Sequence, residues 1–187
     1  MTILASGLAL FFILHMIPFW GTGIKSTITI KIGAGPYKGL FALATLASFV
    51  LIVFGWQASE IEIFYDAPVW GRHATPLFVL FGILLFIASN APTNIRRMLR
   101  HPQLIGVMLW GIGHLMSNGE TRSVLLFGGM IVFSLAAIIS SNKRDGDWIK
   151  RDIVPLSRDI ITIVIGLVVF AALYYFHASF TGISILP

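Results

Sequence analysis

Five histidines stand in a chain that has no cysteine, and they bound the chemistry its side chains can perform. Without thiolates there are no disulfides, Cys-ligated zinc sites, iron–sulfur centres or thiolate-bound haem, so any metal must be held by His, Met or carboxylates. Two histidines bracket one stretch, Arg100 to Glu120, which reads Arg100-His101-Pro102, a short apolar segment, then His114-Leu-Met-Ser-Asn-Gly-Glu120. An imidazole can give one ring nitrogen to a metal while the other is held by a hydrogen bond. The stretch also carries its own helix signals. Pro102 suits the first helical position, which puts His101 at or beside the N-cap. Asn118-Gly119 is a stop and turn signal, so the spacing predicts a helix over 102–117. At about 100° per residue, Gln103, Gly106, Trp110, Gly113, His114 and Ser117 share one side, while Leu104, Ile105, Met108, Leu109, Ile112, Leu115 and Met116 share the other. The side with the small residues and His114 is either a binding face or a close-packed one, since glycines in membrane helices also serve as packing notches.

The elements that position these residues are membrane helices. The chain has 187 residues, 57% hydrophobic and 11% charged, with a mean hydropathy of +0.88. A soluble domain carries about one-quarter charged residues, so this composition argues for a single integral membrane domain over residues 1–187. The net charge of +5 implies no nucleic-acid partner, because its placement follows membrane topology. Met1-Thr2-Ile3-Leu4 has no basic leader, and the first apolar run is expected to remain as a helix.

Apolar runs of spanning or near-spanning length fall at about 2–20, 37–58, 76–91, 102–117, 124–141 and 160–178, against the roughly 20 residues that a span needs. Thr75-Pro76 reads as an N-cap followed by a first-turn proline. The fold class expected is therefore all-α: a polytopic bundle of about six transmembrane helices. Eleven of the thirteen Lys and Arg then fall on one side: Lys25, Lys31 and Lys38; Arg96, Arg97 and Arg100; Lys143, Arg144, Lys150, Arg151 and Arg158. Only Arg72 and Arg122 fall opposite. The positive-inside rule makes the rich side cytoplasmic and puts both termini outside. Between these spans, Ser26 to Ile32 alternates in a way that fits a short strand or an interfacial segment, and Asn142 to Arg158 reads as a solvated loop.

Within this frame His15 sits inside the first helix, where an ionisable residue is costly and turns to the interior. It is either a packing residue bonded to a carbonyl or serine, or a ligand to metal or haem. His101, beside Arg97 and Arg100, caps its helix, meets lipid phosphate or binds a cofactor. His73, in Trp70-Gly-Arg-His73, reads as partly solvated at the opposite interface, and His177, among Tyr174, Tyr175 and Phe176, as part of an aromatic belt. Glu60, Glu62 and Asp66 form no recognisable acid–base dyad, while Glu120 and Arg122 read as a structural pair. No phosphate-binding loop, dinucleotide fingerprint or His-Glu-x-x-His occurs.

Taken in order, His15-x-x-Pro18, Gly35-Pro-Tyr-Lys-Gly39, Pro68-Val-Trp70, Arg100-His-Pro102 and His114-Leu-x-x-Asn-Gly119 resemble the NnrU family over about Leu4 to Phe133. That family of bacterial membrane proteins is linked to denitrification and nitric-oxide metabolism, and is related to 15-cis-zeta-carotene isomerase, a haem b membrane enzyme. The resemblance implies an integral, multi-pass protein of the bacterial inner membrane that binds haem b. The matching histidines of the isomerase are implicated as ligands, which makes His15 and His114 the candidate iron ligands, with Gly113, Trp110 and His101 nearby. It implies an apolar polyene or nitric oxide as partner, and cis–trans isomerisation as the enzymatic option. Where the isomerase has a cysteine before its second histidine, this chain reads Trp110-Gly-Ile-Gly113.

Two further readings compete. Arg100-His-Pro-x-x-x-Gly106 also resembles membrane methyltransferases that use S-adenosylmethionine, although the Glu-rich motif those enzymes carry downstream is not found over Asn142 to Asp159. A non-enzymatic assembly or transport factor is the other. The bis-His reading carries a geometric demand of its own, because the topology puts His15 and His114 in opposite membrane halves. The depth difference is roughly 12 Å at 1.5 Å per residue.

Overall fold

The computed structural model describes residues 1–20 and 22–185, without side-chain detail at 18–20, 22 and 180. Gly21, where the first connection is expected to begin, lies outside the described residues, as does the Pro18 side chain. Among the described residues the structure is helical with no strand, the arrangement by which an apolar chain satisfies its backbone without water. It divides into two units, Met1–Ile61 and Glu62–Pro187.

The first unit holds α1 (Thr2–Trp20), α2 (Thr22–Ile32) and α3 (Ala34–Gln57). Leu4, Leu8 and Phe11 recur at helical spacing and are buried, so one stripe of α1 faces α3. The helices approach closely at Gly7, where a Cβ would lie 2.8 Å from the Ile52 backbone nitrogen. The strand option for Ser26 to Ile32 is overturned, since these residues belong to α2. A lone strand here would have no ladder partner, whereas a helix closes its own hydrogen bonds. Gly33, at φ 88, turns the chain between α2 and α3 in a conformation that suits glycine.

The second unit holds α4 (Gly71–Asn90), α5 (Ile95–Met98), α6 (Pro102–Ser117), α7 (Thr121–Ser123), a π-helical stretch (Val124–Gly128), α8 (Gly129–Asp145), α9 (Leu156–Tyr175) and α10 (His177–Thr181). The run from α7 through α8 is one continuous rod, Thr121–Asp145. Central to this unit is α6, which packs against α4 on one side and against the π-helical stretch and α8 on the other, while α9 packs on α4. The α4–α6 contact is made backbone to backbone. A Cβ on Gly82 would lie 2.7 Å from the Gly106 carbonyl oxygen, and one on Gly106 would lie 2.5 Å from the Gly82 oxygen. The expected bounds of α6 hold, with His101 at the N-cap and Asn118 at the C-cap.

Two boundaries differ from expectation. Thr75-Pro76 is not a helix start, because α4 begins at Gly71 and carries Pro76 inside it. The proline removes only the bond its N–H would give to the Arg72 carbonyl, close to the helix end. The Thr75 hydroxyl turns inward, 2.9 Å from the Gly71 oxygen and 2.7 Å from the Gly113 oxygen of α6. The loop expected over Asn142 to Arg158 is shorter, since α8 reaches Asp145 and α9 begins at Leu156.

Each end of this unit is stitched. At one end Asp159 accepts from the Thr93 hydroxyl, from the Asn94 backbone N–H at 2.7 Å and from Asn94 Nδ2 at 2.6 Å. Asn94 in turn donates to the Val154 oxygen at 2.9 Å and accepts from the Val154 N–H at 3.1 Å. At the other end the Phe64 and Tyr65 N–H groups donate to the Gly119 oxygen, and the Thr121 N–H donates to Glu62. The Tyr65 hydroxyl donates to the Leu115 carbonyl, and burial pushes its phenol pKa up, which keeps it a donor. The backbone passes so close to Tyr65 at Gly119 that a side chain there would collide with the Tyr65 carbonyl. Glu120 and Arg122 form the expected pair at 2.7 Å.

Among the described residues four helices are long and apolar enough to cross a membrane: Ala34–Gln57, Gly71–Asn90, Thr121–Asp145 and Leu156–Tyr175. The apolar stretch Thr2–Ile17 of α1 and the 16 residues of α6 are shorter. Many large apolar side chains face outward, and small ones are prominent among those fully buried. Ser48, Ala88, Ser123, Ser134 and Ala137 are fully buried, while Leu43, Phe54, Ile139 and Val168 are exposed. Small residues let helices meet closely and the large apolar ones face lipid.

Candidate functional site

The best-defined histidine site is the last turn of α6. His114 Nδ1 lies 2.8 Å from the Trp110 carbonyl oxygen one turn back. Because a carbonyl only accepts, Nδ1 carries the proton and Nε2 presents the lone pair. The ring stacks on Phe127, with centroids 4.4 Å apart and planes at 19°, and Trp110 lies 5.1 Å away. Trp110 and Phe127 also meet edge to face at 4.8 Å. Hydrogen bonding and aromatic packing thus both fix the imidazole plane.

The position of His114 follows from two glycine contacts. Gly113 abuts α4, where a Cβ would lie 2.8 Å from Phe78 Cβ. Gly111 abuts the π-helical stretch, 3.0 Å from the Phe127 carbonyl oxygen by the same measure. The small-residue side of α6 is therefore shared. Gly106 and Gly113 seat α4, while Trp110 and His114 engage Phe127. Gly111, on neither of the two sides read from periodicity, is also buried. The π-helical stretch widens the helix just where it carries Phe127, and such departures recur at functional sites.

His15, in the first unit, is held by the same device. Its Nδ1 lies 2.9 Å from the Phe11 carbonyl, and its ring stacks on Phe11 at 4.0 Å with Phe41 at 5.3 Å. His101 stands at the far end of α6 from His114, with Nε2 2.8 Å from Asn142 Oδ1, which ties the start of α6 to the end of α8. His73 is exposed near the start of α4. His177 Nδ1 lies 3.0 Å from the Ile183 oxygen and beside the Thr181 hydroxyl. The structure thus gathers Trp110, His114 and Phe127 and keeps His101 apart, at the other end of α6. Periodicity alone missed Phe127 and the Asp159 cluster; the sequence trace of the latter is an acidic residue in a first helical turn.

Among the described residues no group of three or more His, Asp or Glu could hold a bare metal ion. A haem iron asks less, because the porphyrin supplies four nitrogens and the protein only one or two axial side chains. An imidazole with Nδ1 tied to a carbonyl and Nε2 presented, as at His114, is the donor such an iron takes.

Residues 3–185 match the family model described as NnrU protein. The chain belongs to the NnrU family. The match takes in the last helices as well as the stretch up to Phe133 that carries the motifs. This NnrU protein is an integral membrane protein built from apolar helices. No curated protein and no solved structure matches it.

Proposed function

We propose that this NnrU protein binds one haem b within the bilayer, with His114 as an axial ligand and His15 as the second. The observation that carries the reading is the His114 imidazole, whose tautomer is set by the Trp110 carbonyl and whose plane is set by Phe127. When bound, the haem would supply a redox-active iron with a displaceable position, suited to a nitrogen oxide or to polarising a polyene. The chain's own residues do the rest. The Trp110 carbonyl holds the Nδ1 proton and makes Nε2 the better donor, and Trp110 and Phe127 pack against the ring. Gly113 and Gly111 act through packing, letting α4 and the π-helical stretch close on α6. The activity proposed with it is nitrogen-oxide metabolism, or a redox-gated isomerisation of the kind carried out by 15-cis-zeta-carotene isomerase.

The test is a His→Ala series in detergent, read by haem per polypeptide and by the spectrum. His114→Ala and His15→Ala are expected to lose bis-His ligation, with His73→Ala and His177→Ala unchanged. A normal bis-His spectrum in His15→Ala would remove that residue.

The proposed membrane arrangement is a single NnrU-type domain over residues 1–187 with six spans, adding α1 and α6 to the four long helices, and with both termini outside the bacterial inner membrane. Within the second unit the helix order supports it. Arg96, Arg97 and Arg100 follow α4, and Lys143 to Arg158 run from the last turn of α8 to the first turn of α9, at the end stitched by Asp159. Arg72 and Arg122 lie at the opposite end. Single cysteines in this cysteine-free chain read the topology directly. An impermeant reagent applied to intact cells is expected to label Glu62→Cys and not Lys150→Cys, and the reverse pattern would invert the orientation.

A further inference from the structure

The ends of α4, α6 and α8 border a cleft of about 310 Å³ that has no part in the His114 site. It is lined by Arg96, Arg100 and His101 from the chain between α4 and α6, and by Trp148 and Arg151 from the chain between α8 and α9. One carboxylate lines it, Asp145, and Arg144 already engages that group at 2.6 Å. Asp145 also feels the charges of Arg100 and His101. His101 Nε2 is turned to Asn142 at 2.8 Å. Three guanidiniums therefore share a cleft whose single carboxylate is paired elsewhere. Partial desolvation, and then the charge of Arg151, push the Arg96 pKa down. Like charges held together in this way are costly, and an anion between them relieves the cost. The first turn of α6, Pro102 to Leu104, also lines the cleft and adds the positive end of a 16-residue helix.

From this geometry we infer that the cleft is a binding site for a phosphate group, held by Arg96, Arg100 and Arg151 with the opening turn of α6. The planar fork of arginine pairs two donors with two phosphate oxygens, which a lone ammonium does not. Trp148 and the neighbouring Ile149 are exposed beside the basic cleft. An exposed tryptophan next to arginines at the end of membrane helices is the setting in which anionic headgroups are held. The phosphate belongs to an anionic phospholipid or to a soluble phosphate ester, two sources with one chemistry.

The experiment uses the full chain in detergent. Native mass spectrometry counts retained phosphatidylglycerol against phosphatidylcholine, and calorimetry measures binding of glycerol 3-phosphate. Arg96→Gln/Arg151→Gln is compared with Lys25→Gln/Lys31→Gln, which removes the same charge elsewhere. Wild type and the lysine variant are expected to retain the anionic probe, while the arginine variant binds it about tenfold more weakly for each arginine removed. Arg151→Lys should fall between, since it keeps charge and loses the fork. Retention of phosphatidylglycerol alone assigns the site to a lipid headgroup, and binding of glycerol 3-phosphate assigns it to a soluble ester. Equal losses in the two double variants, equal retention of the two lipids, or binding of neither probe overturns the site. Should the double variant not unfold cooperatively, Arg151→Gln alone carries the comparison, because Arg151 is exposed.

Discussion

Gly106→Leu is expected to abolish the folded protein, costing about 3 kcal/mol or more. The Cβ of any residue at 106 lies 2.5 Å from the Gly82 carbonyl oxygen, and the next obstacle, at 3.2 Å, is the Phe86 backbone nitrogen. Neither can rotate away as a side chain would, so α4 and α6 must separate along their whole contact. Because α6 also carries His114, the variant should lose the aromatic seat as well as the fold. Ile112→Leu, on the same helix and nearly equal in volume, is expected to cost less than about 1.5 kcal/mol. Yield of monodisperse protein and the midpoint of detergent unfolding check the pair. Equal tolerance of both changes would mean that α4 and α6 do not meet at these glycines.

Asp159→Ala carries the second large effect. One carboxylate there satisfies the Thr93 hydroxyl, the Asn94 N–H and the Asn94 amide, and through Asn94 it fixes Val154. Thr93 is 4% exposed and Asp159 9%, so little water reaches the donors that alanine would orphan. Each buried unsatisfied group costs about 1–3 kcal/mol, and the sum should approach about 3 kcal/mol. Asp159→Asn keeps one carbonyl oxygen but turns an NH₂ toward a donor, so it should restore only part of the loss. Unfolding midpoints of the two variants measure this, and a midpoint unchanged in Asp159→Ala would show that the α4–α5 connection is not anchored to α9.

The sequence was most readable where a local signal decided the structure. Pro102 and Asn118-Gly119 bound α6 to the residue, and the glycines at 106 and 113 marked a face that does pack closely. The signal misled at Pro76, whose pairing with Thr75 imitates a helix start. The helix begins five residues earlier because the Thr75 hydroxyl bridges to α6 instead of capping. Ser26 to Ile32 alternates like a strand yet is helical, since alternation has no force without a neighbouring strand. The π-helical stretch left no trace, because widening a helix changes its hydrogen-bond register and not its composition. Asp159 read as one acid among several in a polar stretch. Its partners Thr93 and Asn94 lie 66 and 65 residues away, a separation that no local pattern spans. Of the site itself, His114 and Trp110 were readable from helical spacing, whereas Phe127 became visible only when α6 and the following rod folded back on each other.

The central claim is that the His114 imidazole is built to hold haem iron. The measurement that meets it most directly is the absorbance spectrum of the wild-type protein, expressed with ample haem and purified in detergent. The account predicts a Soret band that shifts on reduction with dithionite and is lost in His114→Ala while that variant remains folded. A wild-type protein that purifies colourless, or a Soret band that is unchanged in His114→Ala, would contradict it.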